Sequence, residues 1–208
     1  MMNKYVKIMC VLDRSGSMDS IIGDAIGGFN SFLKEQKEVD GDATMDIMLF
    51  DTEFISVANN LDINSVEPFT KKTYVPRGGT SLYDAIGKTI DDEIDRIATL
   101  SIEKRPEKTL CVILTDGDEN CSNEYSQSLI KQIIGEMRED FKWEFIFLGA
   151  NQDACFTADS IGISKGNAMS FAATGEGVSS AYVNISNATT NYRTTTGDHT
   201  NMFDDTDK

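Results

Sequence analysis

An α/β fold built on a mostly parallel sheet with one antiparallel edge strand is predicted for this chain by three observations. Short apolar runs alternate with stretches of helical periodicity through most of the chain, the pattern of strands joined by crossover helices. The runs at 5–12 and 109–115 are nearly continuous in apolar residues, as strands covered on both faces require. The runs at 43–50 and 53–58 are separated only by Asp51 and Thr52, and so tight a join implies an antiparallel hairpin. At 208 residues the chain is long enough for one well-cored domain, and no linker-like stretch divides it.

The first strand, Tyr-Val-Lys-Ile-Met-Cys-Val-Leu at 5–12, runs directly into Asp13-Arg14-Ser15-Gly16-Ser17, a short loop holding one carboxylate and two hydroxyls. Ile21, Ile22, Ala25, Ile26, Phe29, Phe32 and Leu33 then recur at helical spacing with polar residues between them, an amphipathic helix. The hairpin follows, and 59–79 reads as loop, with Pro68, Pro76 and Gly78-Gly79. Thr80 or Ser81 is the expected N-cap of a second helix whose apolar face is Leu82, Ile86, Ile90, Ile94 and Ile97. The strand at 109–115 is followed by Asp116-Gly117-Asp118-Glu119-Asn120, so oxygens again follow a strand's carboxyl end. A helix at 126–139, a strand at 143–148, a short helix at 154–161, a short strand at 168–171 and a helix at 178–192 complete the pattern, with Gly175-Glu176-Gly177 as a cap or turn. The domain is expected over residues 1–194. The polar segment 195–208, which ends in Asp204, Asp205 and Asp207, is expected to be a disordered acidic tail.

Composition excludes several classes of function. With 34 acidic and 19 basic residues the net charge is -15, and no Lys/Arg cluster stands out, which argues against nucleic-acid and anionic-membrane surfaces as partners. No signal peptide and no segment near the roughly 20 apolar residues of a membrane span is read. Cys10, Cys111, Cys121 and Cys155 form no C-x-x-C pair and have no partner histidines, so reduced, structural cysteines and a cytoplasmic setting are expected. The single histidine, His199, lies in the tail, which disfavours Ser-His-Asp and Cys-His chemistry. No phosphate-binding glycine loop of the common kinds is present.

Three oxygen-bearing segments remain: Asp13, Ser15 and Ser17; Thr80 in Gly-Gly-Thr; and Asp116 in Thr-Asp-Gly. Each follows or opens an element whose end can lie at the top of one sheet, where open α/β folds bind ligands. Two carboxylates and three hydroxyls form an all-oxygen set that balances a hard divalent cation. In order, spacing and context these segments resemble the von Willebrand factor A domain, whose metal-ion-dependent adhesion site reads D-x-S-x-S, a distant T and a distant D. The resemblance covers residues from about 4 to 194. It implies a Rossmann-like three-layer α/β/α sandwich and a Mg2+ site, with Mn2+ or Ca2+ as alternatives, at Asp13, Ser15, Ser17, Thr80 and Asp116. It further implies direct binding by Ser15 and Ser17, with Asp13, Thr80 and Asp116 sharing direct and water-mediated places. One position stays open for a Glu or Asp carboxylate of a protein partner. The chain is similar to the small stand-alone intracellular members of the family found in bacteria and their viruses. Arg14 is expected in a local salt bridge on the surface or paired with Asp118 or a partner's acid, Gly16 in a tight turn, and Asp118 and Glu119 in solvent, with part of a second cation site or tuning of the first as their alternative. Asp19 and Asp84 are placed near the metal but not among its ligands. Two other readings compete with a binding module: a metal-dependent hydrolase using Asp13 and Asp116, and self-association in which the acidic tail fills another copy's open position.

Overall fold

The computed structural model describes residues 5–150, 153–197 and 199–203. Its strands are β1 (Val6–Asp13), β2 (Ala43–Phe50), β3 (Phe54–Asp62), β4 (Lys108–Thr115), β5 (Glu144–Ala150) and β6 (Ala168–Phe171). Its α-helices are α1 (Ile22–Glu38), α2 (Leu82–Ala98), α3 (Gln127–Asp140), α4 (Ala154–Ser160) and α5 (Gly175–Thr194). The sheet order is β3-β2-β1-β4-β5-β6. Only the edge strand β3 runs antiparallel, against β2.

Alternation along the buried strands divides the core into two layers. From β1, Val6, Ile8, Cys10 and Leu12 pack with Phe29 and Phe32 of α1 and Val178 and Ile185 of α5. Met9 and Val11 point the other way, toward Leu82, Ile86 and Ile90 of α2, Ile130 and Ile134 of α3, and Ala154 and Ala158 of α4. Helices therefore cover both faces, giving the expected three layers. The chain moves outward from β1 to β2 and β3, then returns to lay β4 on the other side of β1. This reversal leaves a crevice at the carboxyl ends of β1 and β4, the position where such sheets hold ligands.

Four local features differ from the sequence expectation. A 3-10 turn, Gly16–Ile21, precedes α1. β3 continues to Asp62 instead of ending at 58, because an edge strand needs no apolar face and its polar residues stay exposed. Asn60, at φ 47°, closes a bulge there, its N–H donating to Asp46 Oδ1. α5 begins at Gly175, with the Thr174 hydroxyl accepting from Gly177 N at 3.2 Å, so Gly175-Glu176-Gly177 form its first turn.

The fourth difference is in the tail. The expectation of disorder from 195 does not hold for 199–203, where Phe203 is 2% exposed within the α1–α5 layer. Phe203 N donates to Gly166 O at 3.0 Å, Met202 N to Asn167 Oδ1 at 2.8 Å, and Asn167 Nδ2 to His199 O at 3.0 Å. One apolar side chain and three hydrogen bonds anchor a segment that its composition marks as solvated. Asp204, Asp205 and Asp207 lie outside the described residues. Among the described residues no helix is long and apolar enough to cross a membrane, and none of the four cysteines is in a disulfide.

Candidate metal centre

Asp13 is the last residue of β1, and Thr115 closes β4 immediately before Asp116. The two strands are hydrogen-bonded neighbours, so their register brings these ends together although they are a hundred residues apart in sequence. Ser15 sits at the N-cap of the 3-10 turn and Ser17 within it, while Thr80 precedes α2. All five residues singled out by sequence converge here. Asp13 Oδ1 accepts from Ser15 N at 2.6 Å, Ser15 Oγ and Ser17 Oγ are 3.0 Å apart, and Ser17 Oγ donates to Asp116 Oδ1 at 2.6 Å. Thr80 Oγ1 lies against Gly117, where a Cβ would come within 3.1 Å of it and 3.7 Å of Ser17 Oγ.

The Thr80 loop is held in place by backbone contacts. Gly78, at φ +67°, presents its carbonyl to Gly16 N at 3.2 Å, a left-handed conformation that suits glycine at position 78. Thr80 N donates to Asn120 Oδ1 at 3.0 Å, and Thr80 O accepts from Asn120 N and Cys121 N. Ser81 is the N-cap of α2 but makes no side-chain cap bond. The helix terminus is satisfied instead from the Asp116 side: Glu119 Oε2 accepts from Tyr83 N at 3.0 Å and Ser122 Oγ from Asp84 N at 3.1 Å. The Thr80 hydroxyl is thereby released from capping.

Electrostatically the centre is an anionic pocket. Asp13 is fully buried, and among the described residues no Lys, Arg or His lies within ion-pair distance of it. Burial pushes its carboxyl up to about 6, against the opposing hydrogen bonds from Thr115 and Ser15, and Asp116 pushes it the same way. Asp116 is itself raised, chiefly by burial. A buried carboxylate lacking a cationic partner beside a second carboxylate and three hydroxyls matches the donor chemistry of a hard divalent cation. Among the described residues no three His, Cys, Asp or Glu side chains group as a metal-binding cluster. The set at this centre differs in kind, with two carboxylates and the rest hydroxyls.

Several surrounding residues differ from expectation or went unread. Arg14 is not at the surface: it is 3% exposed, its Nη2 lies 2.9 Å from Asp51 Oδ2, and no ion pair with Asp118 forms among the described residues. Glu119 is not solvated, since its two oxygens accept from Cys121 N, Ser122 N, Ser122 Oγ and Tyr83 N. Asp84 accepts from the backbone of Asn123, Glu124 and Tyr125, ordering the 119–126 loop. Asp118 and Asp19 are exposed. Thr115 Oγ1 donates to Asp13 Oδ2 at 2.6 Å, and buried Tyr74 donates to Asp13 O. Neither was singled out by sequence; Thr115 was visible inside Thr-Asp-Gly, whereas nothing local marks Tyr74.

No family model and no curated protein sequence matches this chain. Solved structures do. The von Willebrand factor domain of the type V pili tip protein Mfa5 from Porphyromonas gingivalis superposes with a TM-score of 0.60 at 11% identity, covering 95% of this chain and 99% of that one. Proximal thread matrix protein 1 from the mussel byssus, solved with a zinc-occupied MIDAS motif, gives 0.63 at 14% identity over 89% of this chain and 48% of its own. Manganese-loaded TRAP protein from Plasmodium vivax gives 0.53 at 16% identity, with 77% and 63% covered. The chain thus spans about half the length of the mussel protein it matches. The arrangement of strands and helices described above is the von Willebrand factor A fold.

Proposed function

We propose that this chain is a metal-dependent protein-binding module in which Asp13, Ser15, Ser17, Thr80 and Asp116 hold a divalent cation, Mg2+ first and Mn2+ or Ca2+ as alternatives. The observation that carries this reading is Asp13, a buried carboxylate with no cationic partner among the described residues, linked through Ser15 and Ser17 to Asp116. Two carboxylates neutralise a divalent charge, and the hydroxyls contribute oxygens without adding charge. A cation so held keeps a position for an outside oxygen, supplied here by a partner's Glu or Asp carboxylate. Ser17 is exposed at the rim, so the centre faces solvent. A groove of about 460 Å³, lined by Thr52, Phe54, Ser81, Asp84, Cys121, Asn123 and Glu124, adjoins Thr80 and offers room for residues flanking that carboxylate.

Binding is favoured over catalysis by the place of the only histidine. His199 meets Tyr192 edge to face, and the Tyr192 hydroxyl donates to Thr109 O at the opposite end of β4 from Asp116. The centre therefore has no imidazole to move protons. The fold is shared with a pili tip protein and with zinc- and manganese-bearing structures, which supports metal and protein binding in general terms. We propose a cytoplasmic setting for the module, in keeping with four free cysteines, two of them buried thiols that burial pushes far up in pKa.

Calorimetric titration with Mg2+ and Mn2+, beside Asp13→Ala, tests the metal. Saturable binding by the wild type, lost in the variant, is expected; no binding by the wild type overturns the reading. For the partner, Glu-containing peptides are screened with Mn2+ and with EDTA. Binding that needs metal and disappears when the Glu is replaced by Gln is expected. Metal-dependent turnover of phosphate or peptide substrates would favour the hydrolase instead.

A further inference from the structure

We propose that Asp51 is a positioning residue for the metal centre, acting through Arg14: it neutralises a buried guanidinium that would otherwise repel a cation held next to it. The inference rests on the metal-binding reading above. Asp51 is fully buried and follows β2 directly. Its Oδ2 lies 2.9 Å from Arg14 Nη2 and 3.0 Å from Arg77 Nε, while Oδ1 accepts from Glu53 N at 2.6 Å. Its backbone carbonyl accepts from Ser81 N at 3.2 Å. Arg14 stands between Asp13 and Ser15, and Arg77 and Ser81 flank Thr80, so one residue of the hairpin touches two of the three site segments. The two segments also meet directly, Arg77 N donating to Arg14 O at 2.9 Å.

The two arginines differ in how much they depend on Asp51. Arg77 is half exposed and also pairs with Glu53, so water and a second carboxylate share its charge. Arg14 is 3% exposed, its Nε and Nη2 are buried without a hydrogen-bond partner, so Nη2 meets Asp51 by charge and not by an aligned hydrogen bond, and Asp51 is the only carboxylate in ion-pair contact with it among the described residues. If the Asp51 charge is removed, a bare guanidinium remains one residue from both Asp13 and Ser15. A buried cation there opposes the binding of a second cation, in a medium where such repulsion is weakly screened. Because neighbouring residues of an extended chain point to opposite sides, the first site segment carries its metal-facing carboxylate and this cation back to back.

Mn2+ affinity by calorimetry and metal-free melting temperature decide the matter, measured on the wild type, Asp51→Asn, Arg14→Met and the double variant. Asp51→Asn is expected to weaken Mn2+ binding about 10- to 100-fold. Arg14→Met is expected to tighten it, since the buried cation beside the site is gone while Asp51 keeps only the half-exposed Arg77 as its countercharge. The double variant is expected to regain the affinity that Asp51→Asn loses. Both single variants lower the metal-free melting temperature under any structural role, so the opposite signs in affinity are the diagnostic readout. Unchanged affinity in Asp51→Asn, or a double variant as weak as Asp51→Asn, overturns the proposal. Should Asp51→Asn fail to fold, Arg14→Met decides, and equal or weaker binding by that variant overturns it. A wild type that binds no Mn2+ instead overturns the metal reading on which the proposal stands.

Discussion

Ser17 Oγ donates a 2.6 Å hydrogen bond to Asp116 Oδ1, joining two site segments that lie 99 residues apart. Ser17 is exposed and its hydroxyl also meets Ser15 Oγ at 3.0 Å, so its partners are the other candidate ligands and not the core. Ser17→Ala is therefore expected to leave the metal-free melting temperature within about 0.5 kcal/mol of wild type in stability terms. Mn2+ affinity is expected to fall roughly tenfold or more, as loss of one oxygen and of the contact orienting Asp116 implies. Calorimetry beside thermal melts in EDTA reads both quantities, and a stability loss without an affinity loss would contradict the assignment.

Asp13 sets a pH dependence in the metal-free protein. Its folded-state carboxyl is raised to about 6 from 3.8, so between these values the folded state binds more protons than the unfolded chain. Stability at this group is complete below about pH 4, falls as pH rises toward 6, and stays lower above it by about 3 kcal/mol. Asp13→Asn removes that penalty. Its amide can keep Ser15 N as donor to its oxygen and give its own N–H to Thr115 Oγ1, which redirects its proton to Gly117 O at 3.1 Å. In EDTA at pH 7.5 the variant is expected to melt higher than wild type, and it should show no rise in melting temperature with Mg2+. A variant that melts lower in EDTA at pH 7.5 and equally at pH 4 contradicts the sign.

How much of this was legible in the sequence depends on how local each signal is. Asp13, Ser15, Ser17 and Asp116 directly follow apolar runs and so were legible locally, whereas Thr80, which follows a loop, joins them in the sequence through the resemblance of the whole pattern. Asp51 and Tyr74 carry no such local mark. Asp51 looks like a hairpin residue, and only the β1–β2 register sets it against Arg14. Arg14 was misread as exposed because hydrophilicity outweighed its place beside a buried strand end. Phe203, one apolar residue in a polar tail, gives no periodicity, and its burial depends on Gly166 and Asn167, which lie far from it in sequence. The length of β3 was hidden for the opposite reason, since an exposed edge strand has no apolar pattern to display.

Two neighbouring glycines of α1 make a paired test of the α1–α5 packing. At Gly27 a Cβ meets nothing within 4 Å, whereas at Gly28 it would lie 2.2 Å from the Tyr182 ring. Alanine gains helix propensity at both positions, about 0.5–1 kcal/mol. Gly27→Ala is expected to stabilise by that amount. At Gly28 the gain is outweighed, because three atoms of the rigid Tyr182 ring would lie within 3.0 Å of the new Cβ and the whole ring must shift, and overpacking costs about 1–3 kcal/mol. Urea denaturation of both variants checks the opposite signs; a stabilised Gly28→Ala would show that α5 does not pack on α1 as described.

Lys7 provides the last test, at the opposite end of β1 from the candidate metal centre. It is fully buried within the central strand, with Nζ 2.7 Å from Asp46 Oδ1, 3.3 Å from Asn60 Oδ1 and 3.5 Å from Glu93 Oε2. Glu93 keeps a second cation, because Arg96 reaches both its oxygens at 2.6 and 2.7 Å. Asp46 has no such reserve: among the described residues Lys7 is its only ion-pair partner, and the same carboxylate holds the Asn60 bulge of β3. Lys7→Met keeps the apolar stem but strips Asp46 of its countercharge, and because the Asp46 side chain is 18% exposed a loss of about 1–3 kcal/mol is expected, below that of a fully buried pair broken from one side. In Lys7→Met with Asp46→Asn the uncompensated charge is gone, so most of that loss should return. Chemical denaturation of the three proteins measures the coupling. Equal stability of the single and double variants would mean that packing of the lysine stem, and not its charge, holds this end of the sheet, while Mn2+ affinity should be the same in all three because the proposed metal ligands lie at the other end of the strand.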